Sequence, residues 1–394
     1  MSFESFSRLN VLLNTISGYT LPFTSVKEKG SIVLTFYVVL NWIFYVAYIL
    51  GCISGTQFVT KGTVLRDATI NMLVCVEVFI LGFHLYRKTN VLRELIGKFE
   101  SLLVGNVDLR KCVEKAIQQL SFAFKIYVAS TIASLVILSC LPFTKVFTQD
   151  QFFYKDFFVP FIISNEPFSI YIFTCGNIFI LLGVQVVIWK KLCLDIYMSH
   201  IVLLLVGCYK YLKIEIAKAI EIFSEPYVTL SKFDIKCDIH KKLRMVINHH
   251  GIIVQMSVLL KQIFSFNVGV LYMTFVFRLC FSAFMIIYIE ASETAFFERG
   301  AIMIYVAGVL LQMYMICFCM QQLLDASRAV SHGVYDEQWY NCIPELGNVL
   351  KTFVACNKLE SRLTYIADVD LTMPCFASII QHAYTACLFF LKIK

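Results

Sequence analysis

Apolar residues in this chain come in long unbroken runs and seldom alternate with polar ones. Seven runs, roughly 31–53, 68–86, 126–143, 169–189, 263–289, 301–320 and 371–391, are each long enough to span a bilayer as a helix. Each is bounded by charged or turn-forming residues. Without two-residue alternation, the pattern predicts spanning helices and not the strands of a membrane barrel. An eighth run, LCLDIYMSHIVLLLVGCY at 192–209, reads as a continuation of the fourth helix. Asp195 and His200 lie inside it, no Gly or Pro separates Lys190 and Lys191 from the fourth span, and its apolar residues favour one side. A helix from 169 to about 213 would be roughly 65 Å long, about twice the hydrocarbon thickness, so part of it must stand outside the membrane.

Shorter segments at 192–213, 240–261, 321–332 and 346–358 show apolar residues at helical period without spanning length. They are expected to pack on one another. The predicted architecture is an all-α membrane protein of seven transmembrane helices, with helices four to seven extended into a cytoplasmic anchor domain. Its segments are a cytoplasmic N-terminal piece (1–30), spans one to four (31–189), the cytoplasmic extension of helices four and five (190–262), spans five and six (263–320), the anchor and start of helix seven (321–370), and the last span (371–394). In the first segment Phe3, Phe6, Leu9, Leu12, Leu13 and Ile16 recur at helical spacing, which suits a helix lying on the membrane or on the protein's cytoplasmic face. It has no small-residue cleavage site and is not read as a signal peptide.

Composition sharpens this picture. Apolar residues make up 59% of the 394 and charged residues only 15%, where soluble domains are about half apolar. Charge then orients the helices. With the N-terminus inside, 26 of the 34 Lys and Arg residues fall on cytoplasmic segments, and the few outside include Lys61, Arg66, Lys145, Lys155 and Arg299. Inverting the chain would reverse that asymmetry, so the positive-inside rule places the N-terminus in the cytoplasm and the C-terminus outside. The net charge of +7 flanks apolar runs and forms no nucleic-acid patch. The 15 cysteines are scattered through apolar stretches without metal spacing. No enzyme motif, phosphate loop or repeat is present, and no cofactor or metal is expected. His249 and His250 form a pair without a third ligand.

Seven spans first suggest a G-protein-coupled receptor, but the inward N-terminus argues against it, as does the lack of a DRY-like triplet or an NPxxY. Transporter repeats are missing too, since neither half of the chain echoes the other. Four pieces, WKKLCLDIY at 189–197, INHHGIIVQ at 247–255, SRAVSHGVYDEQWYNC at 327–342 and the ending DLTMPCFASIIQHAYTACLFFLKIK, resemble insect odorant receptors in order, spacing and topology. The resemblance spans essentially the whole chain. It implies a tuning subunit of an odorant-gated, non-selective cation channel, a heterotetramer with the odorant receptor co-receptor in the plasma membrane of sensory dendrites. The co-receptor and gustatory receptors carry TYxxxxxQ in the last helix where this chain reads AYTACLFFLK, which sets it apart from both.

Stepping along the last helix by three or four residues puts Ser378, His382, Thr385, Phe389 and Ile393 on one face, small polar groups ending in two apolar ones. That suits a cation pore closed by dewetting, and the family's gate falls on Phe389 and Ile393 when the C-termini are aligned. Lys392 stands where related channels often carry a neutral polar residue; a ring of lysines there would repel cations. The YDEQW segment is expected to cap the sixth helix and touch neighbouring subunits. For a volatile ligand the resemblance points to the outer halves of helices two, three, four and six. Candidates there are Asn71, Cys75, Val78, Thr131, Ser134, Leu138, Tyr171, Thr174, Cys175, Ile178, Tyr305 and Gly308. Two charges lie deep within spans, Glu77 in the second and Arg278 in the fifth. They are expected to neutralise each other or to line a wet cavity, or one of them to anchor a polar ligand group.

Overall fold

The computed structural model describes residues 8–25, 31–59, 68–104, 106–147, 149–157, 159, 161, 166–224, 232–288, 295–336 and 372–392. Nearly all of them are helical. In chain order the helices are α1 (Arg8–Ser17), α2 (Ile32–Gly55), α3 (Thr69–Arg87), α4 (Thr89–Leu103), α5 (Val107–Thr144), α6 (Ile170–Ser224), α7 (Lys232–Tyr288), α8 (Ala295–Asp336) and α9 (Met373–Lys392). Among the described residues, six helices are long and apolar enough to cross a membrane: Ile32–Phe58, Thr69–Arg87, Val107–Phe147, Ile170–Ile220, Lys241–Ile286 and Arg299–Gly333. The seventh predicted span coincides with the 20 residues of α9.

The long helices are continuous. At 55 residues, α6 rises through roughly 80 Å, well beyond the bilayer core. The stretch 192–209 is therefore part of one rod with the fourth span. Its apolar residues do not favour one side as expected: every residue from Leu192 to Tyr209 is buried, because helices pack around α6 on all sides. α5, α8, α7 and the short α1 all contact it. α7 is likewise a single helix of 57 residues and α8 of 42.

The segment 87–125, between the second and third predicted spans, is helical almost throughout. Thr89–Leu103 forms α4 and the third spanning helix already begins at Val107. The signal was present as Leu92, Leu95, Ile96, Phe99, Leu102 and Leu103, a stripe at helical spacing whose members are all buried. At the N-terminus, α1 packs on α6 through Asn10, Leu13 and Ser17, while Leu12 is exposed. Asn10 Nδ2 meets His200 Nδ1 at 2.6 Å, so one polar contact helps seat a helix predicted from its apolar residues alone. Phe3 and Phe6 lie outside the described residues, as do the segment 346–358 and most of YDEQW.

Helix α2 displays the inside-out logic of a membrane span. Its outward residues, among them Ile32, Phe36, Ile43 and Leu50, are exposed aliphatics and aromatics suited to lipid. Its inward face carries Tyr45, Tyr48, Gly51, Cys52 and Gly55. Small residues allow close approach there: a Cβ on Gly183 of α6 would lie 2.1 Å from the Tyr48 ring. Lys190 sits fully buried beside this contact. Its ammonium lies 4.0 Å from the Trp42 ring centre and 4.7 Å from that of Tyr19, and donates to the Ser17 carbonyl at 2.9 Å.

Candidate functional site

Five helices converge on one cavity, and each supplies residues at helical spacing. The first turns of α3 give Ile70, Asn71 and Val74; α5 gives Tyr127, Thr131, Ser134 and Leu135; α6 gives Val184, Val187, Ile188 and Lys191. Arg278 and Met285 come from α7, and Ile302, Tyr305, Gly308 and Val309 from α8. The cavity holds about 130 Å³, close to the size of an engineered protein cavity of about 150 Å³ that takes up benzene. Aliphatic side chains form most of its wall. Gly308 provides space where a side chain would stand, since a Cβ there would meet only Ser130 Oγ, at 3.5 Å.

One side of the cavity is polar and charged. Lys191 Nζ donates to Glu77 Oε1 at 2.5 Å and to Asp195 Oδ1 at 2.8 Å. Asp195 Oδ2 accepts from Tyr127 Oη and from Gln312 Nε2, both at 2.8 Å. Arg278 donates through Nη1 to Gln312 Oε1 at 3.0 Å and through Nε to Tyr305 Oη at 2.9 Å. Nη1 also lies 3.5 Å from Glu77 Oε2, an ion pair without a hydrogen bond. Two cations and two carboxylates thus balance within one buried network. Buried charges are tolerable only when paired and hydrogen-bonded, and these four are.

Of the residues proposed from sequence to meet a ligand, Asn71, Thr131, Ser134, Tyr305 and Gly308 line the cavity. Cys75 and Val78 lie on the same helix as Asn71 but are buried in the packing around it. Tyr171, Thr174, Cys175 and Ile178 occupy the first turns of α6 away from the cavity, and Tyr171, Cys175 and Ile178 are exposed. The side chain of Leu138 lies outside the described residues. Glu77 and Arg278 do come together, but Lys191, Asp195, Tyr127 and Gln312 complete the network and were not foreseen. A signal existed in Lys191 and Asp195, opposite charges four apart in an apolar run. The wall aliphatics carried none.

On α9, Ser378, His382 and Thr385 are exposed in the single chain. His382 Nδ1 lies 3.2 Å from Tyr272 Oη of α7, six residues before Arg278. The side chains of Phe389 and Lys392, and all of Ile393, lie outside the described residues. Elsewhere, His249 Nδ1 meets Glu215 Oε2 at 2.7 Å and His250 is buried. Among the described residues, no three His, Cys, Asp or Glu side chains converge as metal ligands would.

The fold has solved counterparts. The insect olfactory receptor OR5 from Machilis hrabei aligns over 99% of this chain and 98% of its own, with a TM-score of 0.79 at 12% identity. The structure of that receptor in complex with eugenol aligns equally fully, with a TM-score of 0.78 at 14% identity. Odorant receptor 67a of Drosophila melanogaster is 25% identical over 149 residues, 38% of this chain and 35% of that protein, so the chain spans about a third of this relative's length in the match. The family model for the 7tm odorant receptors matches residues 61–384. A match over most of the chain, joined to a fold shared end to end with an insect olfactory receptor, places this protein in the 7tm odorant receptor family.

Proposed function

We propose that this chain is the odorant-binding subunit of a ligand-gated, non-selective cation channel, and that the five-helix cavity receives the odorant. The observation carrying this reading is the cavity itself: a mostly apolar chamber between five helices with a few convergent polar groups, the usual form of a small-molecule site. Binding drives opening only to the extent that the ligand prefers the open arrangement. α7 supplies the link, because it carries Arg278 at the cavity and Tyr272 at the last helix.

In this reading the N-terminus is cytoplasmic and the C-terminus extracellular. The last helices of four subunits, some contributed by the odorant receptor co-receptor, surround the pore. Ser378, His382 and Thr385 face the permeant ions, Phe389 and Ile393 close the path, and Lys392 stands at the outer mouth. The protein works in the plasma membrane of the sensory dendrite.

Expression in a cell lacking insect G-protein pathways tests this reading. Odour pulses onto cells carrying the chain with the co-receptor should evoke cation currents at once, without added nucleotide. A current that appears only after a delay and requires G-protein activity would point to a metabotropic receptor instead.

A further inference from the structure

Resting on the reading of the cavity as the ligand site, we infer that it selects small neutral molecules bearing a hydrogen-bond-accepting oxygen. Ketones, esters and aldehydes fit; hydrocarbons, amines and carboxylates of the same shape fit less well.

The charged side of the cavity has donors left over, and neither of its carboxylates lines the chamber. Lys191 has three N–H groups, of which Glu77 and Asp195 take two. Arg278 makes its hydrogen bonds through Nε and Nη1, which leaves Nη2 without one among the described residues. Tyr305 accepts from Arg278, and its own O–H finds no acceptor among the described residues. All three residues line the cavity. On the acceptor side, Asp195 receives three hydrogen bonds. Glu77 is fully buried behind Lys191 and Arg278 and does not reach the cavity.

Charge decides among the oxygen-bearing ligands. Lys191 and Arg278 are balanced by Glu77 and Asp195. A carboxylate would add an uncompensated buried negative charge, and an ammonium would face the two cations with no carboxylate in reach. A neutral carbonyl oxygen disturbs neither balance and accepts from charged donors. The volume sets the size at roughly six to ten non-hydrogen atoms, by comparison with the benzene-sized cavity.

The test is displacement of tritiated acetophenone from the full chain in lipid nanodiscs by unlabelled acetophenone, ethylbenzene, 1-phenylethylamine and benzoate. Acetophenone is expected to compete at roughly ten- to a hundredfold lower concentration than ethylbenzene, with the amine and the acid weaker than the ketone. Arg278→Lys keeps the charge beside Glu77 but loses the forked N–H groups, and should shrink the ketone's advantage to about threefold or less. Equal competition by ethylbenzene, or stronger competition by the amine or the acid, would overturn the inference. Gly308→Leu, which fills the chamber, should then still abolish binding, and the cavity reading would stand.

Binding indifferent to Gly308→Leu, or none at all, would overturn the cavity reading and this inference with it. Where Arg278→Lys fails to fold, the infrared carbonyl stretch of 13C-labelled acetophenone bound to the unaltered protein serves instead. It should move to lower frequency than in hexane, and an unshifted band would refute the donor contact.

Discussion

Lys191 and Glu77, 114 positions apart in the chain, meet at 2.5 Å with almost no exposure to solvent. Arg278 is the more distant of the two cations around that carboxylate, at 3.5 Å. Removing one member of a buried pair costs about 3–5 kcal/mol, because the partner is left charged and unpaired. Lys191→Met should therefore reduce surface expression severely, and adding Glu77→Gln should restore part of it. Exchanging Glu77 with Arg278 should fail to rescue, since it places an arginine beside Lys191. Flow cytometry of surface-labelled cells reads all of these, and full rescue by the Glu77–Arg278 exchange would refute the shared role of Lys191.

Two helix-interior glycines should respond oppositely to alanine. A Cβ on Gly207 of α6 would lie 2.7 Å from the Val113 Cα of α5, a backbone contact that cannot yield as a flexible side chain can. Gly251 of α7 has nothing within 4 Å. Gly207→Ala should destabilise by about 1–3 kcal/mol through overpacking, whereas Gly251→Ala should stabilise by up to about 1 kcal/mol through helix propensity. Thermal denaturation of the detergent-solubilised protein measures both signs.

The aromatic cage around Lys190 ties α1 to the bundle. Cation–π contact in a desolvated setting is worth on the order of 2 kcal/mol, and the hydrogen bond to the Ser17 carbonyl adds to it. Lys190→Met should loosen α1 with little effect on the cavity. Hydrogen exchange over residues 8–25 should rise at least about tenfold while exchange along α8 stays unchanged; equal protection in both proteins would count against the cage.

On the proposed reading of the last helix as pore-lining, Lys392→Gln should raise cation conductance of the channel formed with the co-receptor, or change its selectivity among cations, by removing a positive charge from the pore entrance. Single-channel recording with the co-receptor present gives the measurement. Identical conductance and selectivity in both versions would place the Lys392 side chain at the lipid headgroups.

The spanning helices were legible because lipid imposes a crude rule: long apolar runs with charge at their ends. What escaped the sequence were consequences of packing in three dimensions. Residues 192–209 read as one-sided, with Asp195 and His200 set inside an apolar run; in the fold both polar groups are buried and hydrogen-bonded. The apolar stripe of α4 lies among the basic residues that link the second and third spans, and that polar surround hides its helical period. In the cavity, residues such as Thr131 and Tyr305 stood out for their polarity. Val184, Val187 and Ile302 belong to it only because five helices happen to leave space beside them, and nothing local marks that.

The buried network also has an order in time. Glu77 and Tyr127 precede Lys191 and Asp195 along the chain, and Arg278 and Gln312 come last. As the ribosome releases the protein, α6 arrives when the carboxylate that neutralises its Lys191 is already made. Arg278 follows to find that carboxylate engaged and its own acceptors, Tyr305 and Gln312, still unmade, so the arginine is expected to settle only once the sixth span is complete. Ribosome-stalled nascent chains ending before and after residue 312 would show that dependence as a change in the depth at which α7 sits in the membrane.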